Sequence, residues 1–157
     1  MKRELMAVGL ALVMAGCATK YGEMGLTGGV AAEPIMPNVY RIKARGNGYT
    51  DRAKVQDFTL LKAAETTVEN GGTHFLIGGA SDASRTSAFT TPGTVQLNRV
   101  GNTTFGTYTP GDTDIIVKPG QDTIITIVKV PAGTTPPAGA LEARPIIETI
   151  GPRLKEK

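Results

Sequence analysis

The sequence predicts an α+β fold, a small two-layer sandwich in which a mostly antiparallel sheet carries one main helix and a short C-terminal helix. Three observations predict it. Residues 39 to 45 alternate apolar and charged with period two. Residues 52 to 70 place apolar side chains at three-to-four spacing. Residues 123 to 130 form a nearly unbroken β-branched run. Strand, helix, strand, hairpin and helix in that order fit helices packed on one side of an antiparallel sheet.

In the first strand, Val39 to Arg45, Tyr40, Ile42 and Ala44 share one face, and Arg41, Lys43 and Arg45 share the other. The basic stripe has two readings. It can contact an anionic lipid or glycan partner, or it can be a solvated face whose charges discourage edge pairing. The second is favoured. Gly46-Asn47-Gly48 makes a turn, and Thr50 or Asp51 can cap the helix that follows. In that helix Val55, Phe58, Leu61, Ala64 and Val68 form the apolar face, and Gly71-Gly72 stops it. A second strand spans His74 to Gly79. Residues 81 to 111, rich in Ser, Thr, Gly and Asn, read as a flexible excursion, within which Thr94 to Val100 and Thr103 to Thr109 can pair around Gly101-Asn102. Asp114 to Lys118 and Thr123 to Val130 are expected to form a hairpin about Pro119-Gly120, the second strand being central and covered on both faces. The last helix takes Leu141, Ile146, Ile147, Ile150 and Leu154 as its apolar set, with Gly151-Pro152 breaking or kinking it. One α+β domain is thus expected over residues 39 to 157.

The N-terminal 16 residues read differently. Lys2 and Arg3 precede an uncharged run from Leu5 to Ala15, about the length of a signal-peptide core and short of the roughly 20 residues that span a bilayer. The run ends in Met14-Ala15-Gly16-Cys17. This tetrapeptide resembles the lipobox of bacterial lipoproteins. The resemblance implies cleavage between Gly16 and Cys17, a diacylglycerol thioether on the Cys17 sulfur, and a further acyl chain on its amine. Ala18, where an aspartate would favour inner-membrane retention, implies an outer-membrane anchor facing the periplasm. Residues 17 to 38, with Pro34, Pro37 and several glycines, read as a lipidated flexible tether.

Gly48-Tyr49, the run Leu60-Leu61-Lys62-Ala63-Ala64-Glu65, and Gly72 ahead of Phe75 resemble an uncharacterised family of small bacterial lipoproteins. The resemblance covers about residues 39 to 80, and the Gly/Thr-rich middle departs from it. It implies the same α+β unit and lends no activity.

Composition argues against several functions. The chain's single cysteine excludes an internal disulfide framework and a cysteine-based zinc site. A net charge of +3 on a mixed sequence lacks the clustered basic footprint of a nucleic-acid binder. His74 is the only histidine, and with Ser81 and Asp82 it allows a hydrolase triad to be imagined. No nucleophile-elbow pattern accompanies it, and a solvated histidine is commoner at a strand start. Asp112 and Asp114 lack calcium-loop spacing. Asp57, Glu65 and Glu69 stand at ordinary helix-surface spacing. Glu65 borders the apolar face, so it is expected to need a partner such as Arg41 or Lys43. No cofactor is expected beyond the acyl groups. The leading expectation is a membrane-anchored, non-enzymatic envelope module that binds a protein or glycan partner or plays a structural part. The alternative is an accessory or sensor subunit for a small ligand, and the weakest reading is a hydrolase using Ser81 and His74.

Overall fold

The computed structural model describes residues 17–155. They divide into two compact units, one of the residues up to Arg85 together with those from Lys118 onward, the other Thr86–Val117.

The first unit is the α+β sandwich. Its strands are β1 (Gly29–Met36), β2 (Val39–Arg45), β3 (His74–Asp82), β8 (Gly120–Val128) and the short β9 (Leu141–Glu142), in the order β1-β2-β8-β3-β9. Every neighbouring pair is antiparallel. Helices α1 (Arg52–Glu69) and α2 (Ala143–Lys155) pack on the sheet and on each other.

The period-two pattern of β2 lands as expected, with Ile42 and Ala44 fully buried. α1 is buried more widely than its apolar stripe predicts. Val55, Phe58, Leu61 and Ala64 are inside, and so are Thr59, Thr66 and Thr67, while Val68 is 39% exposed. The threonines tolerate burial because each hydroxyl donates to the carbonyl four residues back, at 2.7 to 2.9 Å. The helix ends in a full Schellman motif: the Gly71 N–H reaches the Val68 carbonyl, and the Gly72 N–H reaches that of Thr67. Gly71 takes the left-handed φ of +73° that this cap requires. At the other end Asp51 is the cap residue, but no side chain caps the helix.

Four expectations for this unit are corrected. Residues 17 to 38 do not form a tether, because Gly29–Met36 is a sheet strand paired along β2. Its approach depends on Gly28 and Gly29, both at positive φ, where a Cβ would strike the carbonyls of Arg45 and Glu23. Hairpin pairing with β2 about the turn at Asn38, which takes a φ of +62°, rather than periodicity within the segment, makes it regular. The expected hairpin about Pro119-Gly120 is absent, since β8 pairs with β2 and β3. β8 is central, but only one face is covered: Thr123 and Ile125 are buried and Ile124 is 39% exposed. α2 continues through Pro152, with Gly151 buried.

The second unit replaces the expected flexible excursion with two two-stranded ribbons. β4 (Arg85–Thr90) pairs with β7 (Thr113–Lys118), and β5 (Thr94–Val100) pairs with β6 (Thr103–Thr109). The β5–β6 hairpin turns at Gly101-Asn102, where Gly101 has φ +64°, as the sequence predicts.

Candidate functional site

The segment that follows Cys17 is fixed almost at once. The Asn47 Nδ2 donates to the Cys17 carbonyl at 2.6 Å. Two residues on, Thr19 is 2% exposed, and its N–H donates to Thr50 Oγ1 at 3.0 Å. The Thr19 hydroxyl donates to the Thr27 carbonyl and accepts the Asn47 N–H. Thr50, one of the two residues expected to cap α1, therefore spends its hydroxyl differently, and the turn residue Asn47 serves the same segment. Thr50 holds the incoming N-terminal segment, and Asn47 orders its own turn by accepting the Tyr49 N–H. Cys17 itself is exposed. The two turns that grip its segment each present an exposed apolar side chain: Leu26 at the tip of the Gly25–Gly28 turn, and Tyr49. Gly16, the other half of the expected cleavage site, lies outside the described residues.

Arg41, Lys43 and Arg45 do share the face of β2 turned away from the helices, but carboxylates on both neighbouring strands meet them. Glu33 of β1 pairs with Lys43 at 2.6 Å and with Arg41 at 4.0 Å. Asp122 of β8 pairs with Arg45 at 2.6 Å. The stripe is thus largely neutralised across the sheet, which weakens it as a docking surface for an anionic partner.

Glu65 finds other partners than Arg41 or Lys43. Its Oε1 pairs with Lys155 at 2.7 Å, and its Oε2 accepts the Tyr21 hydroxyl. Its side chain is only 17% exposed. Burial, and then the hydrogen bond to Glu65, push the Tyr21 hydroxyl well above the usual tyrosine range. Tyr21 also packs edge-on against Phe58, and the Lys155 ammonium sits over its ring. This cluster joins the N-terminal segment, α1 and the end of α2. A cleft of about 400 Å³ opens beside it, lined in part by Lys20, Lys62 and Glu23.

Sequence reasoning missed Tyr21, Thr19 and Asn47. An aromatic residue inside a supposed tether was the available signal, since flexible linkers are poor in aromatics.

The imagined triad is not assembled. His74 pairs with Val128 at one end of β3, and Ser81 pairs with Asp122 near the other. Seven residues of strand separate them, on the order of 20 Å. The His74 ring contacts Thr73 Oγ1 at 2.9 Å. The Ser84 side chain, and then the Ser84 N–H that Asp82 accepts, hold the Asp82 carboxyl below the usual range, and it pairs with Arg52. Among the described residues no group of three or more His, Cys, Asp or Glu side chains is placed to hold a metal ion, and no helix is long and apolar enough to cross a membrane.

A second cleft, of about 210 Å³, lies between α1 and the sheet. Leu60, Ala63, Ile77 and Ile125 line it, with Gln56 and Gln121 as its main polar groups.

Set against family models, curated proteins and solved structures, the chain matches none.

Proposed function

We propose that this protein is a lipid-anchored envelope module of the small bacterial lipoprotein kind, held through acyl groups on Cys17 and acting by binding a partner rather than by catalysis. The anchor is a diacylglycerol thioether with a further chain on the Cys17 amine. The partner is another envelope protein or a glycan. Ala18 favours the outer membrane, with the folded part facing the periplasm. One acyl chain binds only marginally at about 0.8 kcal/mol per buried methylene, whereas two or more hold durably. Confinement at a surface raises the effective concentration of the module against fixed partners.

The observation that carries this reading is the geometry around Cys17. The residue is exposed, and the chain is immobilised within two residues of it. A lipid on that sulfur would draw the folded unit against the bilayer rather than leave it on a long leash. Leu26 and Tyr49, on the turns that hold the segment, then meet the lipid interface, where an aromatic with a polar tip is favoured.

The chain contains no tryptophan, so Tyr49→Trp gives a clean fluorescent reporter. In protein purified from membranes and reconstituted in vesicles, brominated lipids are expected to quench it. Mass spectrometry should find acylated Cys17 at the new N-terminus, and Cys17→Ser should release the protein from membranes. An unmodified thiol, or a retained leader, sinks the proposal. Acylation without quenching sinks only the close apposition.

The α1–sheet cleft favours a second reading, a small-ligand subunit. At about 210 Å³ the cleft is below the roughly 300–1,000 Å³ of most ligand sites, and the larger cleft beside Tyr21, at about 400 Å³, is lined mainly by charged side chains rather than the apolar ones such sites favour, so the partner-binding reading is preferred.

A further inference from the structure

Six cations of the first unit meet a carboxylate: Arg41, Lys43, Arg45, Arg52, Arg153 and Lys155. The cleft beside Tyr21 leaves others unmatched. Within it Glu65 is saturated, one oxygen taken by Lys155 and the other by the Tyr21 hydroxyl. Lys20, Lys62 and Glu23 line the same cleft, and among the described residues none of the three has an ion-pair partner. The cleft therefore presents two unmatched ammoniums and one unmatched carboxylate beside the apolar Val30 and Leu154, which are 4% and 9% exposed. Lys20 and Glu23 stand on the N-terminal segment and Lys62 on α1. The bond from Tyr21 to Glu65 ties these two elements together, so it also fixes where the three charges are presented.

A second hollow, of about 300 Å³, adjoins the first. It shares Lys20 and Glu23 with it and is otherwise bounded by Cys17, Asn47 and the Gly25–Gly28 turn. The charged cleft thus borders the turns that carry Leu26 and Tyr49, the side chains that meet the lipid interface under the acyl-anchor reading. Charge then selects among ligands. A phosphate takes lysine ammoniums as point-charge partners, and a primary ammonium takes a carboxylate. A ligand that carries both signs a few bonds apart satisfies two lysines and a glutamate together. A simple anion meets the lysines but is opposed by Glu23. An apolar small molecule finds little here, since five of the nine lining residues are charged.

We propose that the cleft beside Tyr21 binds the headgroup of an ethanolamine phospholipid, with the phosphate between Lys20 and Lys62 and the ammonium on Glu23. The choice of a lipid as the ligand rests on the acyl-anchor reading, which sets the cleft at the bilayer surface. The covalent anchor holds one point of the folded unit. A headgroup bound beside it fixes a second point and limits rotation of the unit about the anchor.

Native mass spectrometry of the full chain, purified from cells in detergent, separates the two attachments. Acyl groups on Cys17 change the mass of the chain itself, and a bound lipid adds a dissociable adduct. Titration with dihexanoyl phosphatidylethanolamine is expected to give a single adduct. Lys20→Ala and Lys62→Ala should each weaken it about tenfold, the usual cost of losing a charge-assisted hydrogen bond. Lys129→Ala, at an exposed lysine that lines neither hollow, should leave it unchanged. Glu23→Gln should cancel the parent's preference for this lipid over dihexanoyl phosphatidylglycerol, a change of selectivity that loss of fold does not produce. Equal adducts in the parent and the two cleft-lysine variants, equal binding of the two lipids by the parent, or displacement of the lipid by equimolar inorganic phosphate or diglycine would overturn the proposal. An unacylated chain that takes the lipid overturns the anchor alone. An acylated chain that takes none overturns the headgroup site alone.

Discussion

The two units are built from similar strands and differ in what lies over them. In the first, β2 buries Ile42 and Ala44, β3 buries Phe75, and β8 buries Ile125, all under α1 and α2. In the second, β5 and β6 carry Val95, Leu97, Phe105 and Tyr108, and each is more than half exposed. Strands β2, β8 and β3 of the first are paired on both sides, whereas each ribbon strand of the second is paired on one side only. Cover separates them further. Net hydrogen-bond gain is about 1 kcal/mol each, because water competes, whereas burial of a large apolar side chain contributes about 1.5–3 kcal/mol. The comparison teaches that β pattern specifies a strand, and only a second layer makes it part of a core.

The most forceful way to break that contrast is a matched pair of truncations. Phe75→Ala, at a fully buried position, should cost about 3–5 kcal/mol in denaturant unfolding. Leu97→Ala, studied at low protein concentration, should stay within about 0.5 kcal/mol. Equal losses would mean that the ribbons share a core with the sandwich.

A smaller effect sharpens where the first unit begins. Thr50→Val keeps the side-chain shape but deprives the buried Thr19 N–H of its acceptor. The expected loss is about 1–2 kcal/mol, with faster hydrogen exchange at Thr19. Unchanged stability and exchange would return residues 17 to 28 to the status of a tether.

The smallest concerns the Tyr21–Glu65–Lys155 cluster, which ties that same segment to both helices. The Tyr21 hydroxyl has its folded pKa raised above the unfolded value of 10.0. Its contribution is therefore complete below pH 10 and is lost as pH climbs above it, because the unfolded chain releases the proton first. Tyr21→Phe should cost about 1 kcal/mol near neutrality and flatten the fall in stability above pH 10. A parallel alkaline slope in parent and variant would show that Tyr21 is not the group responsible.

Much of the fold was legible in local pattern. The stripe of α1, the Gly71-Gly72 stop, the alternation of β2 and the hairpin at Gly101-Asn102 are short-range signals, each set by side chains within about one turn or one strand pair. The exposed faces of β8 and the wide burial of α1 were less legible, because both depend on which elements stack above them. In the candidate site, position 17 stands out in the sequence through the apolar run before it. Its surroundings do not, since Asn47 and Thr50 lie some 30 residues away and look like ordinary turn and cap residues.

By itself the sequence determined the α+β class, the helices, most strands and the suspicion attached to Cys17, because hydrophobic period and glycine placement act over a few residues. The tertiary structure alone decided that residues 29 to 36 join the sheet, that β8 leaves its sequence neighbour for β2 and β3, that Glu33 and Asp122 neutralise the basic stripe, and that Glu65 meets Lys155. Those depend on contacts between separate elements, from 3 residues apart in the β1–β2 hairpin to 90 between Glu65 and Lys155, whose energy exists only once the backbone has brought them together.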